Sequence, residues 1–301
     1  MSLSSSATLV RELEDQIQKF WSPVFVPELK ETAILPNLIN TTFSADLQAQ
    51  GDTVKVSMIE DAEGSRQKID ASGNHTTIHS EKLKTQQVNV VADQIFSASF
   101  ELDSLVDLQT QIGSPSGQSR IREALLKGVE LQMNDFIYSL VAPSTSNPDH
   151  EIDSVSDFNF SQLMAVRGLA AKAKWPASER YLLLDPQYYN DFLTDTKNSS
   201  SDFVGGDLPL IGGQRPVSRS GFMILEDNSD AMRRLSPTSG FDNGLAFHRD
   251  WCYMVAQMNP TFKLVDLAPN KQRGYLLVVD MVGGARLGLQ GNVKHIKIYN
   301  S

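Results

Sequence analysis

The sequence predicts an α+β chain, 301 residues long and organised in consecutive blocks. Three observations carry that prediction. Apolar residues recur at helical spacing in some segments and alternate at period two in others. A helical pattern near the middle is longer than any other. Two strand-like runs are separated by a polar stretch far too long for a tight turn.

The first helical pattern is Leu9, Leu13, Ile17 and Phe20, one narrow apolar face with Arg11, Glu14, Asp15 and Gln18 opposite. Pro23 ends it, because a residue preceding proline is pushed out of the helical region. An extended arm to about Asp46 follows. From Gly51 the period becomes two, with Val54, Val56 and Met58 on one side and Thr53, Lys55 and Ser57 on the other. Val88 and Val90 alternate in the same way. The polar excursion between these runs includes Gly64, Gly73, Asn74, His75 and His79, and together they predict a projecting hairpin.

Ser116 or Ser119 is suited to cap a helix from about Arg120 to Val141, with Ile121, Leu125, Val129, Phe136 and Leu140 on its core face and Ala124 and Leu131 broadening it. Such a helix is roughly 30 Å long. Pro143 stops it at a turn-rich subdomain boundary. Alternating units follow: a helix from about Phe160 to Lys172, a buried strand Arg180–Leu184 and a short helix opened by Pro186. A Gly- and Pro-rich loop from Gly205 to Pro216 precedes a strand at Phe222–Leu225, and Trp251–Gln257 reads as helix or strand. Tyr275–Val279 and Val293–Ile298 read as strands flanking Gly283, Gly284, Gly288 and Gly291.

Composition excludes several classes. A chain with 41 % apolar and 21 % charged residues is globular, not disordered throughout. A net charge of −9 disfavours a partner bound by neutralising phosphates, so no sequence-specific DNA contact is expected. Cys252 is the only cysteine, so no internal disulfide or cysteine-based zinc site is expected, which fits a reducing cytoplasm. Met1–Glu12 does not read as a secretion signal, and the apolar run at Leu276–Val279 is far short of the roughly 20 residues that span a bilayer.

No motif for chemistry reaches significance. Gly283-Gly284-Ala285-Arg286-Leu287-Gly288 lacks the second glycine and following helix of a dinucleotide loop, and reads as a turn or bulge between strands. Gly113-Ser114-Pro115-Ser116-Gly117 has Pro115 where a nucleophile elbow needs serine. Ser65-Arg66-Gln67-Lys68 matches a Ser-x-x-Lys pattern without its companion motifs. His75 and His79 sit in a loop, and His150, His248 and His295 are scattered singly. Asp185 and Asp250 end apolar runs and read as caps. No catalytic residue, cofactor or metal site is expected.

The order of segments carries more than any motif. Gly51-Asp52-Thr53-Val54-Lys55-Val56 and Gln87-Val88-Asn89-Val90-Val91-Ala92-Asp93-Gln94 resemble the two strands of the extended loop in the major capsid proteins of tailed double-stranded DNA bacteriophages, the Hong Kong 97-type fold. Ile121-Arg122-Glu123-Ala124-Leu125-Leu126 through Met133-Asn134-Asp135-Phe136-Ile137-Tyr138 resembles the spine helix of that family's peripheral domain. Arg180-Tyr181-Leu182-Leu183-Leu184-Asp185-Pro186, then Gly213-Gln214-Arg215-Pro216-Val217 and Gly244-Leu245-Ala246-Phe247-His248-Arg249-Asp250, resemble its axial domain. The likeness runs from Gly51 to Ile298.

The resemblance implies a division into an N-terminal arm with amphipathic helix (1–48), an extended loop (49–92), a peripheral domain with spine helix (93–158), an axial domain (159–258) and return strands to the peripheral domain (259–301). It implies a non-enzymatic subunit that forms hexamers and pentamers of an icosahedral shell around a double-stranded DNA genome, in the virion, assembled in the host bacterial cytoplasm. Implied partners are further copies of the chain, a separate scaffolding protein, a portal and a possible decoration protein, with no membrane. Expected inter-subunit contacts are Leu9, Leu13, Ile17 and Phe20 on the arm helix, and Val54, Val56, Lys68 and Lys82 on the loop. Some relatives cross-link a loop lysine to a neighbour's asparagine; Lys68, Lys82, Lys84 and Asn292 are the residues of that type here, though solvated lysines are the default. Two alternatives stay open: an encapsulin-like cargo compartment, and a mixed α/β enzyme with an unmarked site.

Overall fold

The computed structural model describes residues 31–44, 52–59, 82–102, 115–141, 150–199, 217–236, 242–267, 274–288 and 295–300. In chain order its elements are α1 (Leu35–Leu38), β1 (Thr53–Ile59), β2 (Thr85–Val91), β3 (Gln94–Leu102), α2 (Pro115–Leu140), β4 (Glu151–Ile152), α3 (Phe160–Lys172), β5 (Arg180–Leu184) and α4 (Pro186–Thr194). After these come α5 (Thr196–Ser199), β6 (Val217–Arg219), β7 (Phe222–Glu226), a 3₁₀ helix (Asp230–Leu235), β8 (Asn243–His248), β9 (Cys252–Asp266), β10 (Tyr275–Leu287) and β11 (His295–Tyr299). The chain divides into two compact units, a larger one of Lys30–Ser97, Lys127–Thr261 and Asp280–Ser301 and a smaller one of Met1–Leu29, Ala98–Leu126 and Phe262–Val279.

The larger unit is organised by a six-stranded sheet in the order β4-β11-β8-β5-β7-β6. Within it β5 runs parallel to β7, with Leu182 opposite Ile224, and antiparallel to β8, with Leu182 opposite Ala246. Alternation sends Leu182, Leu184, Ile224, Ala246, Ile296 and Ile298 to one face, where they meet Leu163, Val166 and Ala170 of α3 and Tyr188, Tyr189 and Phe192 of α4. Each such large side chain contributes about 1.5–3 kcal/mol by leaving water. The helices start where side chains satisfy their first amides. Asn159 accepts from the Ser161 and Gln162 N–H groups, and Asp185 accepts from the Tyr188 N–H at 3.0 Å. Asp185 Oδ2 also accepts from the Asn243 N–H at 3.0 Å, so one carboxylate both caps a helix and fixes the entry to β8.

The smaller unit contains the first part of α2 and the ends of β3, β9 and β10. The Arg122 guanidinium lies 5.6 Å from the centre of the Phe262 ring. The Leu267 N–H donates to the Gly274 carbonyl at 3.1 Å, and Gly274 adopts φ 137°, a conformation that favours glycine. Phe100, Phe262, Leu264, Val265 and Tyr275 are large apolar residues left exposed here.

Several expectations need correction. Helix α2 begins at Pro115, so Ser116 and Ser119 lie inside it and are not its caps. Its inward stripe passes through Leu125, Val129, Asn134, Ile137 and Tyr138, while Phe136 and Leu140 are half-buried and Ala124 is exposed. The segment read as helix or strand is the start of a long strand, β9, which runs on to Asp266. Gly283 and Gly284 form no turn: they lie within β10, where a Cβ on Gly283 would sit 2.7 Å from the Val255 carbonyl oxygen and one on Gly284 would overlap the Val91 carbonyl oxygen. Glycine is needed there for the close approach of two backbones. Asp250 is not a cap, since His248 Nδ1 accepts from its N–H at 3.3 Å. The two last strands belong to different sheets: β10 sits between β3 and β9, whereas β11 joins the six-stranded sheet beside β8.

Candidate assembly surfaces

The segment that follows α1 is tied to β9 by backbone. Asn40 forms a parallel bridge with Tyr253, its N–H donating to the Cys252 carbonyl at 3.3 Å and its carbonyl accepting from Met254 at 3.0 Å. Its side-chain amide donates to Asp250 Oδ1 at 2.7 Å. Beyond it the Phe43 ring meets Tyr253 edge-on at 5.6 Å.

On this footing stands the two-stranded ladder of β1 and β2, paired antiparallel from Thr53↔Val91 to Ile59↔Thr85. Val54, Val56 and Val90 turn inward onto Tyr253 and Val255, with Phe43, Val88 and Ala92 around them. The Ala92 N–H donates to the Asp52 carbonyl at 2.8 Å and Arg286 donates to the Asn89 carbonyl at 3.2 Å. Val54 and Val56, expected at inter-subunit contacts, are buried within their own chain. The outward side of the ladder is Lys55, Ser57, Thr85, Gln87 and Asn89, with Lys82, Leu83 and Lys84 leading into it, all exposed. Lys82 is thus presented to solvent, while Leu9, Leu13, Ile17, Phe20, Lys68 and Asn292 lie outside the described residues.

A second feature lies where the latter half of α2 meets the segment after β7. Fully buried Tyr138 donates from its hydroxyl to Asp227 Oδ2 at 2.6 Å, and Asp227 Oδ1 accepts from the Ser229 N–H at 2.9 Å. Burial, then the Asp227 charge, holds the Tyr138 hydroxyl well above its usual pKa. One helical turn earlier Asn134 is also fully buried, and among the described residues neither its amide nitrogen nor its oxygen has a hydrogen-bond partner. An unsatisfied buried polar group costs about 1–3 kcal/mol. At the rim Arg234 grips both oxygens of Asp135, at 2.6 and 2.9 Å.

The third feature is a charged cluster on β4 and β11. Lys297, 1 % exposed, places its ammonium 2.9 Å from Glu151 Oε1, while Tyr299 donates to Glu151 Oε2 at 3.2 Å. His295, on the same side of β11, packs edge-on against His150 at 4.9 Å and near Trp251 at 5.6 Å. Desolvation, with His150 and Lys297 nearby, lowers His295 to about 3. The histidines that look isolated in sequence are thus paired, a proximity that only the β4–β11 pairing produces.

Cys252 is buried and its thiol is pushed up to about 12 by desolvation. Burial raises Asp185 to about 6, but its oxygens are committed to backbone N–H groups. Among the described residues no group of three or more potential ligands is placed to hold a metal ion, and no helix is long and apolar enough to cross a membrane.

No family model and no curated protein matches the sequence. Solved structures do. A chain in the capsid structure of cyanophage P-SCSP1u aligns with a TM-score of 0.68 at 14 % identity, over 96 % of this chain and 94 % of that one. A chain of the cyanophage Pam1 capsid asymmetric unit gives 0.65 at 13 % identity, over 99 % and 98 %. A chain from Mycobacterium phage Che8 gives 0.66 at 16 % identity, over 94 % and 96 %. At these identities the likeness is one of fold, end to end, and this chain has the Hong Kong 97-type fold of phage capsid chains.

Proposed function

We propose that this chain is the major capsid protein of a tailed double-stranded DNA bacteriophage, a structural subunit that assembles with copies of itself into an icosahedral shell. The observation that carries the reading is the end-to-end alignment with chains of phage capsids, with almost nothing left over on either side. The surfaces support it. A two-stranded ladder anchored at one end and exposed along its outer side is marginal alone and gains from a neighbour. Apolar residues exposed on the strand ends of the smaller unit are suited to a partner.

In this reading the arm helix (Leu9, Leu13, Ile17, Phe20) packs on an adjacent subunit, and the loop between β1 and β2, with Lys68 and Lys82, lies across another. A separate scaffolding protein guides curvature, a portal fills one vertex and a decoration protein is an optional addition. Assembly takes place in the host bacterial cytoplasm. The acidic balance suits a wall that must not hold the packaged genome. No cofactor is needed, because many modest reversible contacts suffice to close a symmetric shell.

Light scattering after size exclusion, with electron microscopy of the same fractions, tests it. Closed shells of uniform diameter are expected from concentrated protein with a crowding agent or from bacterial expression. A chain that stays monomeric in both settings, forming neither shells nor hexamers or pentamers, overturns the reading, since a scaffolding protein guides curvature but does not supply the contacts between copies.

A further inference from the structure

We propose that the cleft between the latter half of α2 and the 3₁₀ helix Asp230–Leu235 receives a cationic side chain, lysine or arginine, from a neighbouring copy of this chain. The partner rests on the shell reading above; the site does not. The cleft measures about 400 Å³ and is lined by Leu131, Asn134 and Asp135 from α2, by Asp230 and Arg234 from the 3₁₀ helix, and by Glu31.

Charge selects the class of ligand. Three carboxylates line the cleft against one guanidinium, and that guanidinium is already held by both oxygens of Asp135. Arg233, which is not part of the lining, pairs with Asp230 at 3.1 Å and leaves the walls acidic on balance. Glu31 accepts from the Asp230 N–H, which fixes one wall to the other. An anion is repelled here, and a metal ion lacks convergent ligands among the described residues.

Asn134 points independently to an occupant. It lines the cleft with a buried side chain that has no hydrogen-bond partner among the described residues, on the inward stripe of a helix where an apolar residue would carry no such cost. Its oxygen is an acceptor for an incoming N–H, and an ammonium or guanidinium offers three or five of these. Leu131 gives the aliphatic stem of such a side chain an apolar wall.

The test has two arms. Unassembled, isotope-labelled chain is titrated with N-acetyl-lysine amide, N-acetyl-arginine amide and, as the anionic control, N-acetyl-glutamate amide, following the Asn134 side-chain amide resonances. The cationic probes should shift them, the anionic one should not, and Glu31→Gln should weaken the response about fivefold or more. Silence at Asn134, or an equal shift with the anion, overturns the site. In the second arm Asp230→Lys should raise the concentration needed for shell formation about tenfold while lowering the denaturation midpoint only slightly, by no more than loss of the exposed Asp230–Arg233 pair accounts for. An unchanged assembly threshold overturns the neighbouring copy as occupant. If the unaltered chain forms neither shells nor hexamers or pentamers, the shell reading and this partner fall together, and the probe titration still decides the site.

Discussion

The six-stranded sheet and the strand ends of the smaller unit are built from similar residues and treat them in opposite ways. In the sheet, all six residues of β8 are buried, and the aromatic rings of α4 close over one face. In the smaller unit, β9 from Phe262 to Asp266 is exposed at every position, with Leu264 at 65 %. The first region completes its packing within one chain. The second leaves apolar surface open to solvent, which suits the proposed association with further copies.

The sharpest way to break that contrast is to remove a ring from the finished core. Phe192→Ala deletes a fully buried side chain among Leu182, Tyr188 and Tyr189. A loss of about 3–5 kcal/mol is expected, read from the urea midpoint of the unassembled chain. A loss no larger than that of a surface change would mean the sheet is not the stabilising core.

Acidification probes the same region through charge. His295 drops from 6.5 to about 3, so between those values the unfolded chain holds more protons there than the folded one. Its contribution is fully present above about pH 6.5 and falls as pH falls, by up to ~1.4 kcal/mol per pH unit for one proton. Asp185 works the other way. Raised from 3.8 to about 6, it binds more protons folded than unfolded in that window, so its contribution is greatest below about pH 4 and falls as pH rises. Denaturation from pH 4 to 7 should show His295→Asn losing less stability on acidification than the parent chain. Identical pH profiles would mean that the ring is solvated.

Much of this was legible from short-range signals. Phe160–Lys172 and Arg180–Leu184 stand where the pattern put them, because their periodicity is regular and Pro186 marks the following helix start. What escaped was decided at long range. The inward stripe of α2 favours Asn134 and Tyr138 over Phe136 and Leu140, because Asp227 offers the Tyr138 hydroxyl a buried acceptor that no local pattern announces. The pairing of His150 with His295 requires β4 and β11 to be neighbours, and Val54 and Val56 turn inward because Tyr253 and Val255 lie beneath them.

Gly284 is a further instance, and its effect is intermediate. The turn-like sequence conceals a strand position pressed against the Val91 carbonyl, so Gly284→Ala forces β2 and β10 apart. About 1–3 kcal/mol of stability should be lost. The Ala92 amide, held by the Asp52 carbonyl at 2.8 Å, should exchange hydrogen faster. Unchanged exchange there would show that the ladder is not anchored through this approach.

The smallest effect on the isolated chain is the most informative about function. Leu264→Ser replaces a side chain that meets mostly water, so the denaturation midpoint should move by no more than about 0.5 kcal/mol. In a shell the same residue is expected to lie against a neighbour, and the concentration needed for assembly should rise. The two readouts separate the regions. If Leu264→Ser destabilised the unassembled chain as Phe192→Ala does, the strand ends would be ordinary core and the contrast would collapse. If it altered neither stability nor assembly, the exposed leucine would be incidental, and the contact surface would have to be sought on the outer side of the β1–β2 ladder.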